Sequence, residues 1–536
     1  MRNLRTNLVF VLFSLFSAVL ISRLFYIQVI KNDYYKALAQ GLQIFPNEIQ
    51  KERGEIFLND YSQPLAINWN FPLVFASPPK ITEPEKTAKA LSQILNLSED
   101  FILQTFQKDT LYSPIKNKLT PEEVDQIEKI NLSGIYLSEI RGRYYPQETL
   151  ASQVVGFLDV NYQGQYGLEE YYNQILNGDS KGSDLILTID YNIQFKAEKL
   201  LEEAKENLNI ENGQIIVMDP NSGKILTTAN FPNFNPNQYE KYASEGDLGI
   251  FKNGALQELF EPGSVFKPIT MAVALNEEKI TPKTTYYDPG EIKIDGWKIY
   301  NYDGRKYPGE ITMTEVLEKS INTGAVFAVQ QISGNIFLDY IEKFGFFKKT
   351  GIDLQEIYSE NREVKKGKPI NFATASFGQG VSVTPIQLAK AFSAIANGGK
   401  LVRPYLVEKI LTDGNTIETK PEISEPILSQ KTVSQLTAMM VSVIENGFGK
   451  RAKVPGYYIA GKTGTAQVAE GGVYLPNRTI QSFVGFAPAF SPRFLILVKL
   501  DNPQTKTAEY SAVPIFHDLA EYIINYWQIP PDYENI

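Results

Sequence analysis

Two side chains three residues apart, Ser264 and Lys267, have the types and spacing that suit nucleophilic chemistry. Pro262 and Gly263 break the chain just before them, and the apolar run 269–275 predicts a helix just after. Ser264 is therefore expected near a helix N-terminus, where backbone N–H groups are free, with Lys267 on the same helix face. A serine hydroxyl needs a base to become a nucleophile, and this spacing offers the lysine amine.

The Ser-x-x-Lys spacing is weak by itself, because it occurs again at 77–80 and 113–116. Both of those copies contain proline, which prevents an ordinary helix from pairing the two side chains. The sequence has no cysteine and a single histidine, His517. These counts exclude disulfides, thiolate nucleophiles, cysteine metal sites and multi-histidine metal sites. A Ser-His-Asp triad would depend on His517 alone, which favours Lys267 as the base, and we predict no metal ion and no cofactor.

Two further short motifs follow in the chain. A Ser-x-Asn motif lies between two predicted helices, and a Lys-Thr-Gly-Thr motif lies in a predicted strand. Glycine in an edge strand allows a ligand backbone to approach, and the flanking lysine and hydroxyls suit a carboxylate. Each motif is weak alone, but the three in this order match the set found in penicillin-binding proteins and class A β-lactamases. The residues concerned are Ser320, Asn322, Lys462, Thr463, Gly464 and Thr465.

The length of 536 residues predicts two or more domains, and the net charge of −9 gives no reason to expect nucleic-acid binding. Residues 6–22 carry no formal charge and continue as an apolar run after Arg23, which predicts a membrane span over 1–30. Arg2 and Arg5 precede the span, so we expect the N-terminus inside and the bulk of the chain outside. An uncleaved anchor is favoured, and a cleaved signal peptide is the alternative.

The chain after the span divides into a mixed segment, 31–183, and an α+β segment, 184–536. The first contains two capping-box patterns, at Thr82 and Thr120, but no chemically poised motif, so a spacer or docking module is expected. In the second, strands and helices do not alternate as regular βαβ units. The expected elements are a strand at 183–189, a helix capped by Asp190, a hairpin of 214–218 with 224–229, a helix capped by Thr384, a helix at 433–445, and strands at 457–468, 481–487 and 494–500.

With these motifs the sequence resembles the class B penicillin-binding proteins, the peptidoglycan D,D-transpeptidases, over nearly its whole length. The resemblance also includes the runs at 53–54, 143–146, 167–169, 187–190, 376–380, 384–387 and 482–488. The sequence around Ser264 resembles that of division-specific members more than that of elongation-specific members. The resemblance implies a membrane anchor, an elongated pedestal and a penicillin-binding/transpeptidase domain of β-lactamase-like fold, with a central antiparallel sheet flanked by helices.

The resemblance also implies the function and the roles of the site residues. Ser264 would be acylated by a stem peptide with Lys267 as base, and β-lactams would acylate the same serine. Ser320 would relay a proton, Asn322 would orient Lys267 and the donor, and Lys462, Thr463 and Thr465 would hold the terminal carboxylate. A polytopic glycan polymerase in the membrane and other cell-wall or division proteins are the implied partners.

Other functions on the same fold remain open from the sequence. A D,D-carboxypeptidase would use water as the acceptor, and a β-lactamase would release the penicilloyl adduct quickly. A membrane-anchored β-lactam sensor or a scaffold of the division complex would not need catalysis. Time-resolved labelling with penicillin separates the enzymes, and the cellular effect of Ser264→Ala separates an enzyme from a scaffold.

Overall fold

The computed structural model describes residues 2–44, 52–178, 181–470 and 473–534. By its contacts the chain divides into two compact units, Met1–Glu52 with Asn68–Tyr144, and Arg53–Ile67 with Tyr145–Ile536. We call them the N-terminal unit and the catalytic unit. The segment 31–183 contributes to both of them, so the domain limits given above stay a prediction.

The N-terminal unit begins with one long apolar helix and then has a small α/β core. Asn7–Ile30 is long and apolar enough to cross a membrane, and its most apolar stretch is not buried within the protein. The α-helices are Arg2–Phe25, Asn32–Ile44, Pro84–Leu95, Glu99–Phe106 and Pro121–Ile130, and the strands are the end of Pro64–Ala76, Ser113–Asn117 and Ile135–Tyr144.

The two predicted capping boxes in this unit have different outcomes. Thr120 caps Pro121–Ile130 with both reciprocal hydrogen bonds to Glu123, as predicted. The prediction at Thr82 is wrong, because the helix begins at Pro84 and its N-cap residue is therefore Glu83. A box at Thr82 needs residue 83 in the α conformation, but a residue that precedes proline disfavours that conformation. In the confirmed box, proline itself is the first helical residue, where it is tolerated.

The catalytic unit is built on a five-stranded antiparallel sheet, which confirms the predicted central sheet. From one edge its strands are Ala460–Glu470, Val473–Ala487, Phe494–Asp501, Asn212–Met218 and Ile225–Phe231. Alternate residues of each strand point to opposite faces, and both faces are apolar here. The sheet is therefore buried on both sides, as a sheet covered by helices must be.

Each face of the sheet packs against its own helices. On one face, Ile216 and Leu497 join the core formed by the helices Lys267–Asn276, Pro385–Ala396 and Gln430–Glu445. On the other, neighbouring strand residues such as Ile215, Val217, Ile496 and Val498 pack with the helices Tyr191–Leu208 and Ala512–Tyr526. The helix that carries Lys267 is thus fixed against the sheet that carries Lys462.

The other predicted helices and strands of this unit are present, and their limits differ from the predicted ones by at most a few residues. Asp190 accepts hydrogen bonds from the first N–H groups of its helix, and Thr384 forms a capping box with Gln387. A second sheet pairs Asp184–Leu187 with Ile56–Phe57 and Val407–Thr412. The remaining strands are Phe157–Leu158, Gly164–Gln165, Thr285–Tyr287, Glu291–Ile294, Trp297–Tyr300, Glu310–Thr312, Lys400–Val402, Asn415–Glu418 and Ile423–Pro426, and the remaining α-helices are Ser152–Val155, Gly167–Tyr171, Asn173–Asn177, Tyr239–Glu245, Gly254–Gln257, Met313–Glu318, Asn322–Gln330, Gly334–Lys343, Arg362–Lys365 and Pro369–Ala375.

Candidate active site

Ser264 lies on a single turn, Gly263–Phe266, which leads directly into the helix Lys267–Asn276. The predicted helix start is therefore confirmed. The backbone N–H of Gly263 donates to the carbonyl oxygen of Gly378 at 3.0 Å, which ties the turn to a neighbouring loop. Gly378 has a φ of +78°, and a Cβ there would lie 2.2 Å from the Gly263 carbonyl oxygen, so only glycine fits. The resemblance pointed to the run 376–380, and this contact is its local physical reason.

The Lys267 amine is fully buried and lies close to four oxygen atoms. Its Nζ is 2.8 Å from Ser264 Oγ, 2.7 Å from the Ser320 carbonyl oxygen, 2.8 Å from Asn322 Oδ1 and 3.2 Å from Ser320 Oγ. A carbonyl and an amide oxygen can only accept, so they suit the two N–H groups of a neutral amine. The lone pair of that amine is then left for the Ser264 hydroxyl, which is the arrangement a base requires.

A second buried lysine approaches from the edge strand. Lys462 Nζ lies 2.9 Å from Ser320 Oγ and 3.0 Å from the Thr463 carbonyl oxygen. The Ser320 hydroxyl therefore lies between the two lysine amines and can pass a proton in either direction. Ser320 has a φ of +53°, a left-handed conformation that is uncommon for a residue other than glycine. Such strain is held by the surrounding structure, and it clusters at functional sites.

The charges of the two lysines are set by burial. Burial lowers the pKa of Lys267 well below its usual value, and the nearby Lys462 cation lowers it further. Burial also lowers the pKa of Lys462, to about 7. No carboxylate among the described residues offsets either effect. Lys267 is therefore the amine that is neutral near pH 7, and Lys462 is the one that keeps positive charge as the pH falls.

Asn322 is positioned by a network of hydrogen bonds that the sequence did not reveal. Its Nδ2 donates to the Tyr300 carbonyl oxygen at 2.9 Å, which turns Oδ1 toward Lys267. The next residue, Thr323, donates from Oγ1 to the buried carboxylate of Asp288 at 2.6 Å. Asp288 also accepts from the Asn301 amide and from the Tyr307 backbone N–H. These residues are far apart in sequence and carry no recognisable spacing, so only the folded chain brings them together.

The Lys-Thr-Gly-Thr motif lies on the edge strand Ala460–Glu470, as predicted, and the structure shows a packing reason for its glycine. A Cβ on Gly464 would lie 2.5 Å from Ser482 Oγ, 3.0 Å from Val265 Cγ1 and 3.1 Å from the Pro262 carbonyl oxygen. The glycine therefore lets the strand itself approach the nucleophile turn. The approach of a ligand backbone to this edge strand stays a prediction, since these contacts lie on the inward side to which the pleat turns Gly464.

A cleft of about 270 Å³ opens beside these residues. Ser264, Ser320, Thr463 and Thr465 line it at the catalytic end. The Thr465 hydroxyl oxygen accepts from the Ala508 backbone N–H at 3.2 Å, so its own proton remains available for a ligand. The other lining residues are Asn301, Tyr302, Arg305, Tyr307, Lys319, Ile321, Phe448, Lys506, Thr507, Ala508, Glu509 and Tyr510.

The structure thus brings together the three motifs, which are separated by up to about two hundred residues in the sequence. Their catalytic and binding roles stay predictions, because geometry alone does not test them. Sequence reasoning missed Asp288 and also Glu261, whose carboxylate accepts from the Gly380 backbone N–H and from the Tyr474 hydroxyl, each at 3.0 Å. Among the described residues, no group of three or more metal-ligating side chains is placed to hold a metal ion.

Comparison with protein families identifies both parts of the chain. A penicillin binding protein transpeptidase domain matches residues 213–521, and a penicillin-binding protein dimerisation domain matches residues 48–205. Among similar proteins, stage V sporulation protein D of Bacillus subtilis is 34% identical over 538 residues, which are 93% of this chain and 82% of that protein. Peptidoglycan D,D-transpeptidase FtsI of Escherichia coli is 28% identical and covers 96% of this chain and 90% of its own length.

Solved structures show the same architecture. The crystal structure of penicillin binding protein 3 from Mycobacterium tuberculosis, complexed with aztreonam, matches with a TM-score of 0.71 at 25% identity, over 90% of this chain and 98% of that one. The transpeptidase-domain match covers more than half of the chain, and a dimerisation-domain match lies before it, so this protein belongs to the class B penicillin-binding proteins. The family resemblance drawn from its motifs is confirmed.

Proposed function

We propose that this protein is a peptidoglycan D,D-transpeptidase that cross-links stem peptides through an acyl-enzyme at Ser264, in septal or lateral cell-wall synthesis. The observation that carries the proposal is the 2.8 Å contact between Ser264 Oγ and the buried Lys267 amine, which has no carboxylate partner among the described residues. The names of its relatives, among them peptidoglycan D,D-transpeptidase FtsI, support the reaction. The aztreonam complex of a structural neighbour supports β-lactams as ligands of the same site.

In the acylation step, Ser264 Oγ attacks the carbonyl carbon of the penultimate D-alanine and gives its proton to Lys267. The backbone N–H groups of Ser264 and Thr465 donate hydrogen bonds to the negative oxygen that forms. Each donor stabilises the transition state by about 3 kcal/mol. Collapse breaks the peptide C–N bond, and the departing D-alanine amine receives a proton through Ser320. Lys462, with the hydroxyls of the edge strand, holds the terminal carboxylate.

In the deacylation step, an amine of a second stem peptide attacks the ester carbonyl. Lys267 removes the proton from that amine, and the proton returns to Ser264 when the ester bond breaks. The cross-linked peptide and the free enzyme result. Water in place of the amine would give carboxypeptidase activity, so the acceptor decides between the two reactions.

The partners and the orientation follow from the anchor. We propose that Asn7–Ile30 spans the cytoplasmic membrane with the N-terminus inside and the catalytic unit outside, because positive residues precede the span. A polytopic glycan polymerase is the proposed neighbour in the membrane, since the family match to this chain consists of a transpeptidase and a dimerisation domain.

Labelling with a fluorescent penicillin tests the proposal. We expect a stable adduct on the native protein and none on Ser264→Ala, because acylation needs that hydroxyl. Ser113→Ala is a matched control, since Ser113 begins another Ser-x-x-Lys spacing and its buried Oγ has no hydrogen-bond partner among the described residues. A persistent adduct on Ser264→Ala would falsify the assignment, and rapid loss of the adduct from the native protein would indicate a β-lactamase instead.

A further inference from the structure

Arg305 lies in the wall of the cleft that contains Ser264, at a place the mechanism does not use. Its guanidinium carbon lies 5.6 Å from the centre of the Tyr302 ring and 5.4 Å from the centre of the Phe448 ring. Two aromatic contacts restrict the orientation of an otherwise flexible side chain. The guanidinium is thus held in place before any ligand arrives.

The other cations on this outer part of the cleft already have carboxylate partners. Lys319 pairs with Glu315 at 2.8 Å, and Lys506 pairs with Asp303, also at 2.8 Å. Arg305, in contrast, forms no ion pair with any carboxylate in the described part of the chain, and it is exposed. A positive charge that is oriented but unpaired, in a substrate cleft, is free to bind an anion.

The chemistry of the guanidinium narrows the kind of anion. Its planar fork of N–H groups matches the two oxygens of a carboxylate, and it stays charged at all physiological pH values. The carboxylate at the end of the stem peptide is already assigned to Lys462, Thr463 and Thr465 at the catalytic end of the cleft. A carboxylate bound at Arg305 would therefore be a different one from the terminal carboxylate.

We propose that Arg305 binds a second carboxylate, carried on a side branch of the donor stem peptide. This inference rests on the proposed function and adds a substrate class to it, namely stem peptides whose side carboxylate is free and not amidated. Glu509 lines the same cleft and has no ion-pair partner among the described residues, so it opposes the binding of a carboxylate. Arg305 is thus a specificity residue, and Glu509 moderates its effect.

The test compares two synthetic donor pentapeptides that differ only in a free or an amidated side carboxylate. Each peptide competes with fluorescent benzylpenicillin for the site. For each variant, the readout is the peptide concentration at which the acylation rate falls to half of that variant's rate without peptide. This readout needs no turnover of the peptide. We expect the native protein to prefer the free acid by about fivefold to tenfold, as for one charge-assisted contact that is partly exposed.

Variants assign that preference to Arg305. Arg305→Gln should weaken competition by the acid and leave the amide unchanged, Arg305→Lys should restore part of the preference, and Glu509→Gln should increase it. Lys306→Gln is the matched control, since Lys306 is an exposed neighbouring cation that does not line the cleft. The proposal would be overturned if the two peptides competed equally in the native protein, or if neither of them competed. It would also be overturned if the preference for the free acid survived in Arg305→Gln. A native protein that benzylpenicillin does not acylate would instead contradict the proposed function.

Discussion

At the scale of single residues, the proposed mechanism gives two buried lysines opposite tasks. Lys267 must be neutral to accept a proton, whereas Lys462 must be charged to attract a carboxylate. Burial lowers the pKa of both, and the charge of Lys462 lowers the pKa of Lys267 further. Ser320 Oγ joins the two amines, at 3.2 Å from Lys267 and 2.9 Å from Lys462. The pair therefore keeps one positive charge and one base in a small volume.

These pKa shifts predict two limbs in the pH dependence of penicillin binding. The acylation rate constant should fall by about tenfold per pH unit below the pKa of Lys267, because a protonated amine cannot take the Ser264 proton. The affinity before acylation should fall as the pH rises above about 7, because Lys462 then loses its charge. A bound carboxylate raises the pKa of Lys462, which moves this upper limb to higher pH.

Stopped-flow labelling measures the two limbs separately, since it resolves the acylation rate constant from the dissociation constant. Lys462→Gln is the informative variant, because it removes the group that titrates in the upper limb. Its affinity should be low and nearly independent of pH in that range. An upper limb of unchanged size in Lys462→Gln would show that another group titrates there.

At the scale of elements, the site is made where the edge strand meets the nucleophile turn. The helix Lys267–Asn276 and the strand Ala460–Glu470 are fixed to the same core, so their separation is set by packing. Gly464 faces the turn, since a Cβ there would lie 3.0 Å from Val265 Cγ1 and 3.1 Å from the Pro262 carbonyl oxygen, and 2.5 Å from Ser482 Oγ of the neighbouring strand. These three contacts are all closer than an ordinary Cβ contact, so a side chain at this position requires its neighbours to move.

Gly464→Ala should therefore slow acylation without unfolding the protein. The added methyl group forces the strand away from the turn, at a cost of about 1–3 kcal/mol in stability. A shift of the oxyanion donors by a fraction of an ångström to 1 Å can lower the acylation rate by up to about 100-fold. The measurements are the acylation rate constant and the thermal unfolding midpoint.

Gly249→Ala is the control for that variant, because its Cβ would meet only Asp247 Oδ1, at an ordinary 3.4 Å. It should change neither quantity. If Gly464→Ala acylated at the native rate, the strand would have room for a side chain, and close approach would not be the reason for the glycine.

At the scale of the whole molecule, the anchor and the chemistry belong to different units by their contacts. The span Asn7–Ile30 is in the N-terminal unit, whereas all eight predicted site residues are in the catalytic unit. The site residues also draw their support from that unit, through the core shared by the central sheet and its helices. The membrane segment is thus expected to set where the protein acts and not whether it can be acylated.

A chain that begins at residue 31 should therefore lose its association with membranes and keep its acylation rate by penicillin. Flotation with membranes and labelling of the soluble protein measure the two properties. An acylation rate that fell by more than a fewfold on removal of the span would show that the anchor contributes to the site. Partner-dependent cross-linking is a separate activity and would be lost with the anchor if the polymerase binds there.

Much of the fold could be predicted because its signals are local. The cap at Asp190, the capping boxes at Thr120 and Thr384 and the strands of the central sheet follow from neighbouring residues and from alternation of apolar side chains. The error at Thr82 is also local, because Pro84 disfavours the α conformation at Glu83, which a cap at Thr82 would need. The sheet order could not be derived this way, because strands far apart in the chain pair through their backbones.

The sequence by itself determined which side chains are candidates for chemistry, since the absence of cysteine and the single histidine favoured Ser264 and Lys267 as the predicted nucleophile and base. Only the tertiary structure decided that Lys462 comes within reach of Ser320 and that a side chain at Gly464 would collide with its neighbours. It also decided that Arg305 lies in the cleft without a carboxylate partner from the described part of the chain. The physical reason is distance along the chain. Spacing within a helix or a strand fixes local neighbours, whereas burial, pKa and charge pairing depend on segments that meet only when the core closes.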